Sequence, residues 1–214
     1  MRSTAAIMEE LRVALRAGNR EESIGLCRLG ISQVPSPLAP EWYFFQLNFA
    51  NSLLGIGQDK YSLTFDDVDV AILAYQDILV LPPHDEAVFA ANMGLGWAYY
   101  LRHRGVRRRN LELAVYYYKE ALEHSAAPTG QRQYHIGSLR AAIGLCYADL
   151  VDEGVGEALS QAVQYYEDAL DIFTREQYPD DWQEVTEKLA AVRLRGEITR
   201  HREAEDEGDS PKDN

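Results

Sequence analysis

Apolar residues recur along most of this chain at spacings of three and four, the period of a helix that buries one face. Four times a small residue is followed at +4 by an aromatic or cysteine, at +7 by another packing residue, and, in two of the four, at +12 by proline. The sets are Ser23/Cys27/Gly30/Pro35, Ala71/Tyr75/Ile78/Pro83, Ala114/Tyr118/Ala121/Ala126 and Ala162/Tyr166/Ala169/Thr174. Between them lie segments with a large residue, a small one and a large one three further on: Phe49-Ala50 with Leu53, Met93-Gly94 with Trp97, Ile143-Gly144 with Tyr147. A small side chain in mid-helix weakens helix propensity, so its recurrence predicts close approach of a neighbouring helix. Tyr75, Tyr118 and Tyr166 are expected to fill the space between adjacent pairs. The sets begin 48, 43 and 48 residues apart, a period of stacked helical units that cannot bury their apolar faces alone.

The pattern predicts helix pairs at about 4–17 and 20–34, 40–56 and 67–81, 84–104 and 110–125, and 129–151 and 156–177. A last helix from about 180 to 205 closes the stack. Gly18-Asn19 supplies the first turn, and Asp66 or Asp67 and Asn110 are expected caps. Pro35 and Pro82-Pro83 end second helices, because proline lacks an amide hydrogen and disfavours helical geometry before it. The expected fold is all-α, one helical repeat domain over residues 1–205, with residues 206–214 an acidic tail expected to be disordered.

Composition narrows the function classes. The 214 residues carry a formal charge of −13, a balance that repels phosphate and argues against general nucleic-acid binding. The doublets and triplet Tyr99-Tyr100, Tyr116-Tyr117-Tyr118 and Tyr165-Tyr166 read as seam residues with amphipathic neighbours rather than base-stacking platforms. Cys27 and Cys146 sit at packing positions of different repeats and read as free buried thiols in a reducing compartment. Met1 to Leu15 carries Glu9, Glu10 and Arg12 inside its apolar stretch, unlike a secretory leader. No run approaches the ~20 apolar residues of a membrane span. A soluble, cytoplasmic protein is expected.

The spacings resemble the tetratricopeptide repeat, in which the first helix carries a Leu-Gly-x-x-Tyr element and the second carries Ala, an aromatic, Ala and Pro. The clearest matches are NFANSLLGIG at residues 48–57 and AVQYYEDAL at residues 162–170. The stretch YYEDALDIFTREQYPDDW at 165–182 is similar to the long-helix variant of the family. Repeat one, with Glu10-Leu11 at the large-small pair, and a fifth repeat lacking a second helix suit terminal caps. The resemblance implies a right-handed superhelical solenoid of stacked antiparallel helix pairs with a C-terminal capping helix, and ligand contact along the concave face lined by first helices.

The expected exposed inner positions are Phe44, Leu47, Asn51 and Leu54, then Val88, Ala91, Asn92, Leu95 and Tyr99, then Ser138, Ala141, Leu145 and Asp149. Asn51 and Asn92 fall where clamp-type relatives hold a peptide carboxylate or backbone. The basic residues completing such a clamp are missing, with Leu47 and Ser138 in two of their places. The pair either grips an extended peptide or cross-links neighbouring helices. Arg102, His103, Arg104, Arg107, Arg108 and Arg109 form a basic run at the turn within pair three. It either complements a helix C-terminus and pairs with nearby acids, or docks an acidic partner, a phosphate or the chain's own tail.

Little points to chemistry. His84, His103, His124, His135 and His201 never fall at metal-ligand spacing on one helix face, and no HExxH or CxxC is present. The expectation is a non-catalytic interaction module, an adaptor or scaffold needing no cofactor or metal. Its partner is a protein or peptide contacting Asn51, Leu54, Asn92, Leu95 and Tyr99, steered by Arg104, Arg107, Arg108 and Arg109. The alternative is a regulator whose solenoid changes curvature on binding a small peptide or metabolite. If Trp182, Val185, Leu189 and Val192 leave an apolar stripe uncovered, the capping helix offers a homodimer contact.

Overall fold

The computed structural model describes residues 2–56, 63–81, 85–125 and 130–208, and their side chains except those of 130–131 and 199–208. The elements are α1 (Thr4–Arg16), α2 (Arg20–Gln33), α3 (Pro40–Leu53), α4 (Phe65–Val80), α5 (Asp85–Leu101), α6 (Arg107–Glu123), α7 (Gly130–Asp152), α8 (Ala158–Leu170) and α9 (Pro179–Gly208). No strand occurs among the described residues. Contacts divide the chain into two compact units, Met1–Ala127 and Pro128–Asn214.

Helix ends alternate between two chemistries. The first helix of each pair is followed by a glycine with positive φ, at Gly18, Gly55, Gly105 and Gly154, a conformation that costs glycine no Cβ clash. After α1, α3 and α7 the chain closes the paired reverse hydrogen bonds of a Schellman turn: Asn19 N donates to Ala14 O and Gly18 N to Leu15 O, Ile56 N to Asn51 O and Gly55 N to Ser52 O, Val155 N to Leu150 O and Gly154 N to Val151 O. Second helices α2 and α4 instead stop at an extended residue, Val34 and Leu81, each directly before a proline. The cap of α4 is Thr64, in a reciprocal box with Asp67. Asn110 is not a cap: α6 begins at Arg107, and the Asn110 amide reaches back to the Arg102 and Arg104 carbonyls at 3.0 and 2.9 Å.

In the first unit each helix from α1 to α6 packs on the next, and α3 also meets α5. Ile7, Leu11 and Ala14 of α1, Leu26 and Cys27 of α2 and Phe45 of α3 form one buried cluster. Tyr75 is fully buried and Tyr118 is 3% exposed. A Cβ on Gly94 would stand 2.3 Å from the Tyr75 ring, and one on Gly96 2.4 Å from Tyr118. The small positions of α5 therefore admit the tyrosines of α4 and α6, the close approach that the spacing predicts.

In the second unit α7 packs on α8 and α8 on α9. Tyr166 lies against Gly144, where a Cβ would be 2.9 Å away. α8 ends at Leu170, short of the expected 177. Phe173 turns out of the helix line and is buried against Tyr134 and Tyr178, at ring distances of 5.6 and 5.5 Å. Burying that ring outweighs two further helical turns. Val185, Leu189 and Val192 are each at most 5% exposed on the helix that packs against α8, so they are not an uncovered stripe. α9 continues to Gly208, and the remainder of the acidic tail lies outside the described residues.

Candidate functional site

The first helices α3 and α5 frame an open depression of about 220 Å³, lined by Pro40, Tyr43, Phe44, Leu47, Ala87 and Ala90, with Ile78 of α4 and Glu86. Local sequence builds it. Pro40 opens α3 at a position where its missing amide costs nothing. Tyr43, Phe44 and Leu47 then fall on adjoining turns of one face. Ala87 and Ala90 present only methyl groups from α5, which leaves room between the helices. Phe44 has the Arg12 guanidinium 5.6 Å above its ring, and Glu86 lies in the first turn of α5. The depression is apolar and carries an acid from α5, and the Arg12 beside Phe44 is itself paired with Glu9 at 3.2 Å.

Two of its lining residues, Phe44 and Leu47, are among the inner positions expected from sequence. The others diverge. Leu54, Asn92, Leu95 and Tyr99 are 4%, 3%, 0% and 9% exposed, so the expectation that they are exposed on the groove does not hold. The close fit of Gly94 and Gly96 draws that stretch of α5 into the core. Asn51 is half-buried, and its Oδ1 accepts a 2.6 Å hydrogen bond from Tyr75 Oη. That bond joins α3 to α4, the cross-linking alternative for this residue. Burial raises the Tyr75 pKa well above that of a free phenol, so the hydroxyl stays protonated and donates.

Tyr99 stacks on Tyr117 at 5.4 Å with ring planes 6° apart, and Gln76 Nε2 lies 3.5 Å from its Oη. Burial, with Tyr117 nearby, raises its pKa. Asn92 and Tyr99 are thus buried and Asn51 is bonded across helices, so the three form no shared exposed surface.

The arginine run is largely engaged internally. Arg102 Nε lies 2.7 Å from Asp69, and Arg104 reaches Asp69 at 2.9 Å and Asp66 at 2.8 Å. Partial burial works against Asp69 ionising, but hydrogen bonds and charge from both arginines hold its carboxyl below the usual value. Arg107 donates to the Tyr100 carbonyl and covers that ring at 4.9 Å. Arg108 and Arg109 share Glu112 at 3.1 and 3.6 Å, with side chains 54% and 69% exposed.

Sequence reasoning missed Arg20. Its side chain, 10% exposed, donates to Ser52 O at 3.0 Å and Leu53 O at 3.3 Å and pairs with Asp67 at 3.1 Å. It caps the end of α3 while tying α2 to α4. Nothing in the spacing marks an arginine at a helix start as a cap for another helix.

Among the described residues no group of three or more His, Cys, Asp or Glu is placed to hold a metal ion, and no helix is long and apolar enough to cross a membrane. The sequence matches no family model and no curated protein.

Proposed function

We propose that this protein is a non-catalytic interaction module, a tetratricopeptide-like array whose helix pairs stack into a right-handed superhelix closed by α9. Its partner is a protein or peptide segment that places a large apolar side chain between α3 and α5. The depression is the observation that supports this reading. It is open, apolar and built from two helices of successive pairs, as a side-chain socket must be. Burying one Leu- or Phe-sized side chain there contributes about 1.5–3 kcal/mol. The exposed Arg108 and Arg109 add steering toward acidic partners. Buried free thiols at Cys27 and Cys146 suit a cytoplasmic setting.

Crosslinked capture from native lysate tests it, comparing wild type with Leu47→Glu and Ala90→Glu. Both variants should keep the wild-type helical circular dichroism and lose the same partners. Partners retained by both, yet lost from Arg108→Ser/Arg109→Ser, would move binding to the arginine loop and refute the socket.

A further inference from the structure

We propose that the outward face of α4 packs antiparallel on the same face of a second copy of this chain, as a two-fold helix pair. The face belongs to the first unit and points away from Ile78, which lines the α3–α5 depression. The inference does not rest on the function proposed above.

α4 packs on α3 and α5 through a side that includes the buried Ala71, Tyr75 and Ile78. The opposite side carries Asp66, Val70, Leu73, Asp77 and Val80, spaced four, three, four and three apart, the alternation that holds one seam of a helix against another helix. All five are exposed, Val70 by 39%, Leu73 by 61% and Val80 by 82%. A place in the array does not by itself call for apolar residues there. Counted from the small residues Ser23, Ala71 and Ala114, Leu73 and Val80 correspond to Gly25 and Ser32 on α2 and to Tyr116 and Glu123 on α6. Those four positions are exposed too, and α2 and α6 fill them with glycine, serine, tyrosine and glutamate where α4 has leucine and valine.

Charge names the occupant. Arg104 bonds Asp66 at 2.8 Å and Asp69 at 2.9 Å with its side chain still 51% exposed, so a guanidinium stands over the outward face at the N-terminal end of α4. At the C-terminal end the exposed Asp77 accepts from the Gln46 amide at 3.2 Å, and a carboxylate has further lone pairs to offer. With a cation at one end and an acid at the other, the seam is complementary to itself when reversed.

The register follows. Setting Val70 against Leu73 of the other copy gives two apolar layers, and the same alignment sets Val80 against the half-buried Leu63 and Asp77 against Asp66. Arg104, already on Asp66, then meets Asp77 of the other copy and offsets the repulsion of the two acids. Sliding one helix by seven residues would set Leu73 against Asp77 and bury a carboxylate on an apolar side chain, which disfavours that alternative.

Sedimentation equilibrium of the full chain from micromolar to near-millimolar concentration tests the pairing. Wild type should dimerise reversibly, because the seam is small beside the ~1,200 Å² of a standard interface. Leu73→Glu should weaken the dimer at least about tenfold, while Tyr116→Glu, at the equivalent place on α6, should leave it unchanged. Both positions are exposed, so both variants should keep the wild-type circular dichroism. Disulfide trapping reads the register: Cys27 and Cys146 are buried, and Val70→Cys and Leu73→Cys chains, mixed and mildly oxidised, should crosslink to each other faster than either does to itself. A wild type that stays monomeric would leave the face to some other protein and overturn the inference. So would a dimer indifferent to Leu73→Glu, one weakened equally by Tyr116→Glu, or crosslinking no faster between the two cysteine variants than within each.

Discussion

Gly25 and Gly94 both interrupt helices, and their surroundings give substitution opposite signs. A Cβ at Gly25 meets nothing within 4 Å, so Gly25→Ala should raise stability by about 0.5–1 kcal/mol through helix propensity. At Gly94 the Cβ would press on Tyr75, which is fully buried and held by Asn51, so the ring has nowhere to go. Gly94→Ala should lower stability by about 1–3 kcal/mol despite the same propensity gain. Urea titration of the pair reads both signs. Cys27 supplies a pH signature, since burial pushes its thiol up to about 12. Its contribution is complete below the unfolded thiol pKa of ~8.5 and falls as pH rises toward the folded value, by at most ~1.4 kcal/mol per pH unit. Tyr75, also raised, adds alkaline loss above ~10. The urea midpoint should drop between pH 8 and 10, and Cys27→Ala should flatten that slope.

At the scale of elements, helix ends carry more of the organisation than helix faces alone. Arg20 satisfies two terminal carbonyls of α3 and the Asp67 carboxylate. Arg20→Ala should cost about 1.5–3 kcal/mol, the range for hydrogen bonds to charged groups. Arg20→Lys should recover only part, because a single ammonium cannot reproduce the guanidinium fork; thermal melts of the two variants compare them. Much of this layer was legible in the chain. Pro35 and Pro82 mark the ends of α2 and α4, and Gly18 marks the turn after α1, because both residue types act through local backbone geometry, whereas Gly55, inside the helix expected over 40–56, in fact turns the chain after α3. The end of α8 was not legible, since Phe173 leaves the helix for the ring of Tyr134, 39 residues back on α7, as well as for nearby Tyr178.

At the scale of the whole molecule, each compact unit has its own buried residues, around Phe45 in one and Phe173 in the other. Phe173→Ala should cost about 3–5 kcal/mol. Hydrogen exchange should then accelerate in α7 to α9 while α1 to α6 keep their protection, as expected of separate cooperative units. Equal acceleration throughout would show one cooperative molecule instead. The chain by itself determined the all-helical class, the pairing of helices and the small-aromatic contacts, because these follow from periods of three and four and from residues acting on their own backbone. Only the tertiary structure decided which helix faces are covered. Asn92, Leu95 and Tyr99 have inner-face spacing yet lie in the core, while Leu73 and Tyr116 stand exposed. Periodicity fixes the angle of a side chain about its own helix, but burial depends on how closely the next helix comes, and Gly94 and Gly96 bring α4 and α6 within reach of that face.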